Sequence, residues 1–211
     1  MKMEKILVFA AHADDAEIGM GGTIAKYSEN KDKIITLIFT KGEKSHPHIK
    51  EEVIARKRKS ETKKVDELLK RKSIHLNLEE GKLKQHLNDD KLLNEIKEII
   101  NKFKPTKVYT LSSSDPHPDH RSVNEITLKI LEKLKFKGDI YAYEVWNVVE
   151  DNHAKVYIDI TETFGMKKRV LKEFKSQMHF IYPLLPLVHL RARLYGKRYN
   201  CRYAEKFYKI K

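Results

Sequence analysis

The chain has 211 residues, one cysteine and a formal net charge of +13 at pH 7, from 43 Lys and Arg against 30 Asp and Glu. A single cysteine excludes an internal disulfide framework and a cysteine-based zinc site, and it is typical of a protein of the reducing cytoplasm. No apolar run has transmembrane length, and the start from Met1 to Lys5 is too short and polar for a signal peptide, so we expect one cytoplasmic domain spanning residues 1–211.

The positive charge is spread along the chain, with runs of basic residues at 57–72, 167–169 and 191–202. Such a charge suits anionic small-molecule substrates, an anionic membrane surface or nucleic acid. It is equally typical of a solvated, Lys-rich surface. The charge alone therefore does not identify a partner.

Apolar, β-prone runs alternate with amphipathic segments along the whole chain, a pattern that indicates βα units and a mainly parallel sheet flanked by helices. The predicted strands are 5–11, 34–40, 74–78, 107–111, 140–146 and, at an edge, 157–160. The predicted helices are 21–29, 50–71, 92–103, 124–134 and 163–177. Residues 180–211 mix prolines, aromatics and basic residues, and we expect a loop and a short helix that wrap the site.

Two polar motifs follow predicted strands. His12-Ala13-Asp14-Asp15 ends the first strand, and Asp115-Pro116-His117-Pro118-Asp119-His120 follows the strand at 107–111. Open α/β sheets build their sites at the carboxyl ends of strands. Histidine and aspartate are ligands for a divalent metal that activates water, so the two motifs together predict a metal-dependent hydrolase.

A catalytic metal site needs about three protein ligands and an open position. His12, Asp15 and His120 are the predicted ligands, which leaves Asp14 beside the metal as the general base. His117 is the candidate for stabilising the oxyanion, and Asp119 is placed to orient a histidine from outside the ligand set.

Each motif alone also has a purely structural interpretation. Asp14 or Asp15 can cap a helix, and the second motif can be a polar turn. The glycines from Gly19 to Gly22 lack the spacing of a nucleotide-binding loop, and we expect them to allow close packing beside the site. His46 and His48 either line the cleft or lie in an exposed loop.

The motifs resemble those of the PIG-L/LmbE-type N-acetylglucosaminyl deacetylase family. The first motif, with Glu17 and the glycines that follow, is similar to the family's Ala-His-Pro-Asp-Asp strand end, and His117 to His120 match its His-Pro-Asp-His. Weaker similarities lie on a helix, in a turn and near the end of the chain. They are Arg58-x-x-Glu61, Glu80-Gly81-x-Leu83, Ser176-Gln177 and Tyr203-Ala204-Glu205-x-Phe207.

The resemblance implies a Rossmann-like sheet and a zinc-dependent removal of an acetyl group from an N-acetylated amino sugar. It implies that His12, Asp15 and His120 bind the metal, that Asp14 is the base, and that His117 is the acid or electrophilic group with Asp119 as its partner. Arg58 would contact substrate. Ala13 stands where the family usually has Pro, and Phe174 stands where many members have His.

The leading functional hypothesis is therefore deacetylation of a GlcNAc-type conjugate, with an anionic conjugate favoured by the charge. The ligand set of two histidines and one aspartate suits Zn²⁺, and also Fe²⁺, Mn²⁺ or Co²⁺. One alternative is an amidase of the same family that acts on another amide. A second alternative, from a different class, is a basic nucleic-acid-binding module with a degenerate metal motif.

Overall fold

The computed structural model describes residues 3–45, 49–150 and 152–211. His46 and His48 lie outside the described residues. Within the described residues, seven strands and six α-helices alternate along much of the chain. They are β1 (Lys5–Ala10), α1 (Asp15–Glu29), β2 (Lys33–Thr40), α2 (Glu51–Leu69), β3 (Lys72–Leu78), α3 (Asp90–Phe103), β4 (Lys107–Leu111), α4 (Pro118–Lys133), β5 (Asp139–Tyr143), β6 (Ala154–Asp159), α5 (Phe164–Leu171), α6 (Met178–Arg198) and β7 (Ala204–Lys209).

All seven strands form one sheet in the order β3-β2-β1-β4-β5-β7-β6. The first five of these strands pair in parallel, and β7 pairs antiparallel with both β5 and β6. The predicted mainly parallel α/β sheet is confirmed. Strand β1 lies at its centre, and Ile6 to Ala10 are fully buried because helices cover both faces of such a sheet.

The direction of winding reverses beside β1. From β1 the chain moves outward through β2 and β3, and it then returns to place β4 on the other side of β1. Between two strands whose connections diverge in this way, the carboxyl ends leave a crevice. Both polar motifs leave the sheet at this crevice, because one follows β1 and the other follows β4.

Helices α1 and α4 begin about six residues earlier than predicted, and both do so inside a motif. Helix α1 starts at Asp15 and α4 at Pro118, where His117 is the N-cap. Proline suits the first turn of a helix because its missing N–H would have no partner there. The motif residues therefore belong to helix starts and also face the crevice.

The prediction for the end of the chain is wrong. A loop and a short helix were expected over 180–211, but α6 has 21 residues and a seventh strand follows it. Pro183 and Pro186 lie inside α6 on its exposed side, where water can satisfy the carbonyls that they leave unpaired. The strand was hidden because Glu205 and Lys206, which look like surface residues, are buried in it.

Helix α1 contains a break at Met20, whose φ of −141° and ψ of 22° are not helical. The Glu205 carboxylate of β7 accepts hydrogen bonds from the N–H groups of Gly22 and Thr23, at 3.0 and 2.8 Å. The Lys167 ammonium of α5 donates to the Ile18 carbonyl at 2.7 Å and pairs with Glu205 at 2.6 Å. This buried ion pair satisfies the backbone groups that the break exposes.

The glycines of α1 allow the close packing that the sequence predicts. A Cβ at Gly19 would lie 2.4 Å from the Tyr143 ring, and one at Gly22 would lie 2.7 Å from Ile160. Both distances are too short for any side chain. These glycines let β5 and the segment after β6 approach the helix that carries the first motif.

Candidate metal centre and active site

The first motif forms the turn from β1 into α1. The Asp15 carboxylate accepts a hydrogen bond from the backbone N–H of His12 at 2.8 Å, which closes the turn on itself. His12, Asp14 and Asp15 are all buried. The turn therefore holds two carboxylates and an imidazole at the crevice in a fixed arrangement.

The second motif is fixed by its own hydrogen bonds. Asp115 accepts from the backbone N–H of His117 at 2.8 Å, and His117 Nδ1 accepts from the N–H of Asp119 at 3.2 Å. The Arg121 guanidinium donates to the carbonyls of Asp115 and Pro116, at 2.7 and 2.6 Å. The loop is thus closed from both ends, and it brings His117 and His120 against His12, with ring centroids 5.0 and 5.5 Å away.

The three predicted ligands converge. His12 Nδ1 lies 3.4 Å from Asp15 Oδ2, and His120 Nε2 lies 3.4 Å from Asp15 Oδ1. In a tetrahedral site with bonds of about 2.1 Å, ligand atoms stand about 3.4 Å apart. Ligand atoms of the three residues all lie within 4.8 Å of one another, as do those of an overlapping set, His12, His117 and Asp119.

The carboxylates around His12 and His120 create a negative environment that suits a cation. Burial lowers the pKa of His12, but the carboxylates of Asp15, Asp119 and Glu80 outweigh it and raise that pKa to about 10. Burial likewise lowers the pKa of His120, and Asp15 and Asp115 raise it to about 9. Since His12 Nε2 is buried and makes no hydrogen bond within the described structure, the residues fit a bound divalent metal.

Asp115 stands behind one ligand. Its Oδ1 lies 3.1 Å from His120 Nδ1, on the side of the ring away from Asp15. A carboxylate in this position fixes the ring orientation and the tautomer of a metal-binding histidine. The sequence placed Asp115 in the motif but did not assign it this role.

Asp14, the predicted general base, forms an ion pair with Arg58. The guanidinium Nη2 of Arg58 lies 3.0 Å from Asp14 Oδ1, and Nη1 donates to the Gly42 carbonyl at 3.2 Å. Both side chains are buried. These contacts hold the Asp14 carboxylate in one orientation, and a contact of Arg58 with substrate stays a prediction.

His117 is half-buried at the opening of the crevice. Burial lowers its pKa, and the neighbouring His12 and His120 add to the effect. Because Nδ1 accepts a hydrogen bond from the Asp119 N–H, a neutral His117 ring carries its proton on Nε2. The side chain thus offers a hydrogen-bond donor.

The sequence predicts that the Asp119 side chain pairs with His117, but in the structure this carboxylate lies beside His12. Its Oδ2 lies 3.7 Å from His12 Nε2, and only its backbone N–H bonds to His117. The carboxylate accepts from the N–H groups of Gly81 and Leu83, at 2.7 and 3.3 Å. These bonds bring the turn after β3 to the crevice, with Glu80 Oε1 3.7 Å from His12 Nε2.

Sequence reasoning missed Glu80 as a member of the site. Its only signal was the resemblance of Glu80-Gly81-x-Leu83 to a family turn. Gly81 has a φ of +81°, a conformation that glycine adopts without strain, and it lets the turn fold back onto Asp119.

Glu61 lies in the same helix as Arg58 but does not reach the crevice residues named above. Its carboxylate accepts hydrogen bonds from the backbone N–H and the hydroxyl of Ser176, at 2.8 and 2.6 Å.

A mainly parallel α/β sheet with His and Asp side chains gathered at its switch point is the architecture of an α/β enzyme with a metal site. The model of the family described as PIG-L, GlcNAc-PI de-N-acetylase, matches residues 7–131 and spans both motifs. The chain belongs to this family. The family resemblance and the fold expected from the sequence are thereby confirmed.

Known proteins that this chain resembles include deacetylases. Diacetylchitobiose deacetylase of Thermococcus kodakarensis is 26% identical over 223 residues, which cover 96% of this chain and 82% of the relative. The structure of N,N'-diacetylchitobiose deacetylase from Pyrococcus horikoshii has a TM-score of 0.84 at 23% identity, covering 98% of this chain and 84% of that one.

The same fold also carries another chemistry. The structure of GalB, a 4-carboxy-2-hydroxymuconate hydratase from Pseudomonas putida, matches with a TM-score of 0.85 at 18% identity, and it covers 99% of this chain and 97% of that one. The fold alone therefore does not fix the reaction. The residues of the site must carry that argument.

Proposed function

We propose that the protein is a metal-dependent N-deacetylase that removes the acetyl group from a GlcNAc-type amino-sugar conjugate. His12, Asp15 and His120 hold the metal, and Zn²⁺ is the proposed ion, with Fe²⁺, Mn²⁺ and Co²⁺ suited to the same ligands. The observation that carries the proposal is the convergence of these three side chains beside Asp14 and His117. Family membership supports the same reaction class.

Held by His12, Asp15 and His120, a divalent metal would supply Lewis acidity toward the amide carbonyl and would make water a better nucleophile near neutral pH. Asp14, fixed by Arg58, accepts the proton of the attacking water. His117 donates from Nε2 to the developing oxyanion or to the leaving nitrogen. Asp115 keeps the ring of His120 oriented throughout.

Two features of the site argue against a nucleic-acid-binding module and against a purely structural role for the motifs. A nucleic-acid-binding module has no need of a buried carboxylate and histidine set, and helix capping does not require Arg58 to reach Asp14 across 44 residues of sequence. The buried ion pair and the convergent ligands both favour an enzyme.

The test is acetate release by metal-reconstituted protein from free GlcNAc, chitobiose, UDP-GlcNAc and GlcNAc-malate. We expect Asp14→Asn to keep its metal and lose about 10²- to 10⁴-fold in kcat, the range for removal of a general base. We expect His12→Ala and His120→Ala to lose metal and activity together. Near wild-type turnover by Asp14→Asn would refute its role, and full metal occupancy in both histidine variants would refute the ligand set.

A negative panel is also informative. Zinc bound with no acetate released from any member would argue against a GlcNAc-type substrate and favour another amide. The same protein would then be screened for amine release from other amide conjugates.

A further inference from the structure

Helix α6 presents an exposed apolar surface, which we name the α6 face: Phe180, Tyr182, Leu187, Leu190 and Leu194. These side chains are 51% to 68% exposed. They make up five of the nine large hydrophobic side chains that are exposed among residues 3–45, 49–150 and 152–211. Isolated exposed leucines are ordinary, but a group of this size on one element marks an interaction surface.

Four of the five side chains of the α6 face form one continuous strip, and Tyr182 lies beside it, lining the groove between α5 and α6. Residues 180, 187, 190 and 194 follow the three- and four-residue intervals that place side chains on one side of a helix. The opposite side is anchored, since Ile181, Val188 and Ala192 are buried and the Tyr195 hydroxyl donates to Glu144 at 2.6 Å. The strip is therefore displayed by a helix that is packed in place.

The charges around the α6 face are mostly positive. Helix α6 contains no Asp or Glu from Met178 to Arg198, and its last two turns expose Arg193, Lys197 and Arg198. On one flank, a groove of about 690 Å³ between α5 and α6 adds Lys168 and Lys172. On the other flank, Lys155 is accompanied by a single carboxylate, Glu150.

We propose that the α6 face docks the protein onto an anionic lipid bilayer. Apolar side chains that enter the headgroup boundary, ringed by Lys and Arg, are the features that bind interfacial helices to anionic membranes. A second copy of this chain is a poorer occupant, because α6 offers no carboxylates to pair with the basic residues of its partner. The net charge of +13 adds long-range attraction to the same surface.

The α6 face lies on a helix that is hydrogen-bonded to segments near the active site. The docking proposal does not depend on which reaction that site catalyses. Ser176, just before α6, binds Glu61 of the helix that carries Arg58. Arg191 donates to the Trp146 carbonyl, in the loop that follows β5, at 3.4 Å. The helix is therefore tied to segments at the carboxyl edge of the sheet, where the site lies.

Vesicle co-sedimentation tests the proposal, with phosphatidylcholine vesicles that do or do not contain phosphatidylglycerol. We expect the full chain to sediment with the anionic vesicles and not with the neutral ones. Leu187→Gln/Leu190→Gln/Leu194→Gln should abolish sedimentation. Lys197→Gln/Arg198→Gln should lower the partition coefficient about fivefold for each charge removed.

The matched control is Lys63→Gln/Lys64→Gln, which removes two exposed charges from α2 and should bind like the wild type. Circular dichroism and metal content verify that each variant is folded. Equal binding to neutral and anionic vesicles, or no binding to either, would overturn the proposal. So would a concentration-dependent dimer in sedimentation velocity that the leucine variant loses, because a second copy would then cover the face.

Discussion

Asp115 links the loop after β4 to the metal site. Its carboxylate accepts from the His117 N–H and lies 3.1 Å from His120 Nδ1, so one side chain fixes both the loop and a ligand. Partners of metal-binding histidines change metal affinity when they are replaced, even though they do not touch the metal. The consequence can be measured as binding rather than activity.

Asp115→Asn should weaken Zn²⁺ affinity about 10- to 100-fold, because the neutral amide no longer stabilises the ligand ring as a carboxylate does. The amide oxygen can still accept from the His117 N–H, so the loop should keep its shape. Competition with a chromophoric chelator gives the affinity. Asp89→Asn, which caps α3 away from the site, is the matched control, and an equal loss in both variants would argue against the role of Asp115.

The types and spacing of the motif residues predicted which side chains meet at the crevice. They did not predict the pairs Asp14–Arg58 and Asp115–His120, because which side chains pair depends on their orientation after the helices have packed. Glu80 was missed for the same reason. Its turn reaches the site only because Asp119 binds the backbone of Gly81 and Leu83.

At the scale of elements, the break in α1 is the feature on which the first motif depends. The segment before the break carries Asp15 and Glu17. The segment after the break begins where the N–H group of Gly22 donates to the Glu205 carboxylate. Glu17 in turn pairs with Arg71 at 2.5 Å. Burial raises the pKa of Glu17 to about 7, although Arg71 opposes this shift.

Glu205→Gln should lower the free energy of unfolding by about 3–5 kcal/mol, because it leaves the Lys167 ammonium buried without its partner. Lys167→Met/Glu205→Gln should be less destabilised than the sum of the two single variants, since the second change removes the unpaired charge. Urea denaturation measures both. Lys209→Met, which breaks an exposed pair on the same strand, should change stability by less than about 1 kcal/mol. Additive single effects would contradict a coupled pair.

Strands β1 to β5 could be predicted because buried parallel strands show as short β-branched runs between helical patterns. Strand β7 could not be predicted in the same way. Its buried Glu205 and Lys206 pair with Lys167 and Glu144, at 2.6 Å in each case, and buried charges imitate an exposed segment in a hydropathy pattern. Helix α6 was hidden by two prolines whose freed carbonyls face water.

For the whole molecule, the contrast in charge between surface and site has a thermodynamic consequence. The chain is strongly basic, yet Asp14, Asp15, Asp115 and Asp119 are buried around one point. Arg58 and the rings of His12 and His120, whose pKa values are raised to about 10 and 9, offset part of this negative charge, and a divalent cation bound among the carboxylates would offset more. Metal binding should therefore stabilise the folded state.

Removal of the metal with a chelator should lower Tm by about 5–10 °C, the shift for a ligand at about 100 times its Kd and a chain of this length. Addition of Zn²⁺, Mn²⁺ or Co²⁺ in separate experiments should restore it, and the ion that restores the most at equal free concentration is the preferred one. Differential scanning calorimetry makes the measurement. In His12→Ala the chelator should leave Tm unchanged, and an equal shift there would point to a different site.

The position of β7 in the sheet affects the order of assembly during synthesis. Glu205 follows Gly22 by 183 residues, and the strand that carries it inserts between β5 and β6. Until that strand has left the ribosome, the N–H groups at the break in α1 lack their acceptor and Lys167 lacks its counter-charge. We therefore expect the break in α1, which follows the turn that holds His12 and Asp15, to gain its hydrogen-bond acceptor only after β7 has been synthesised.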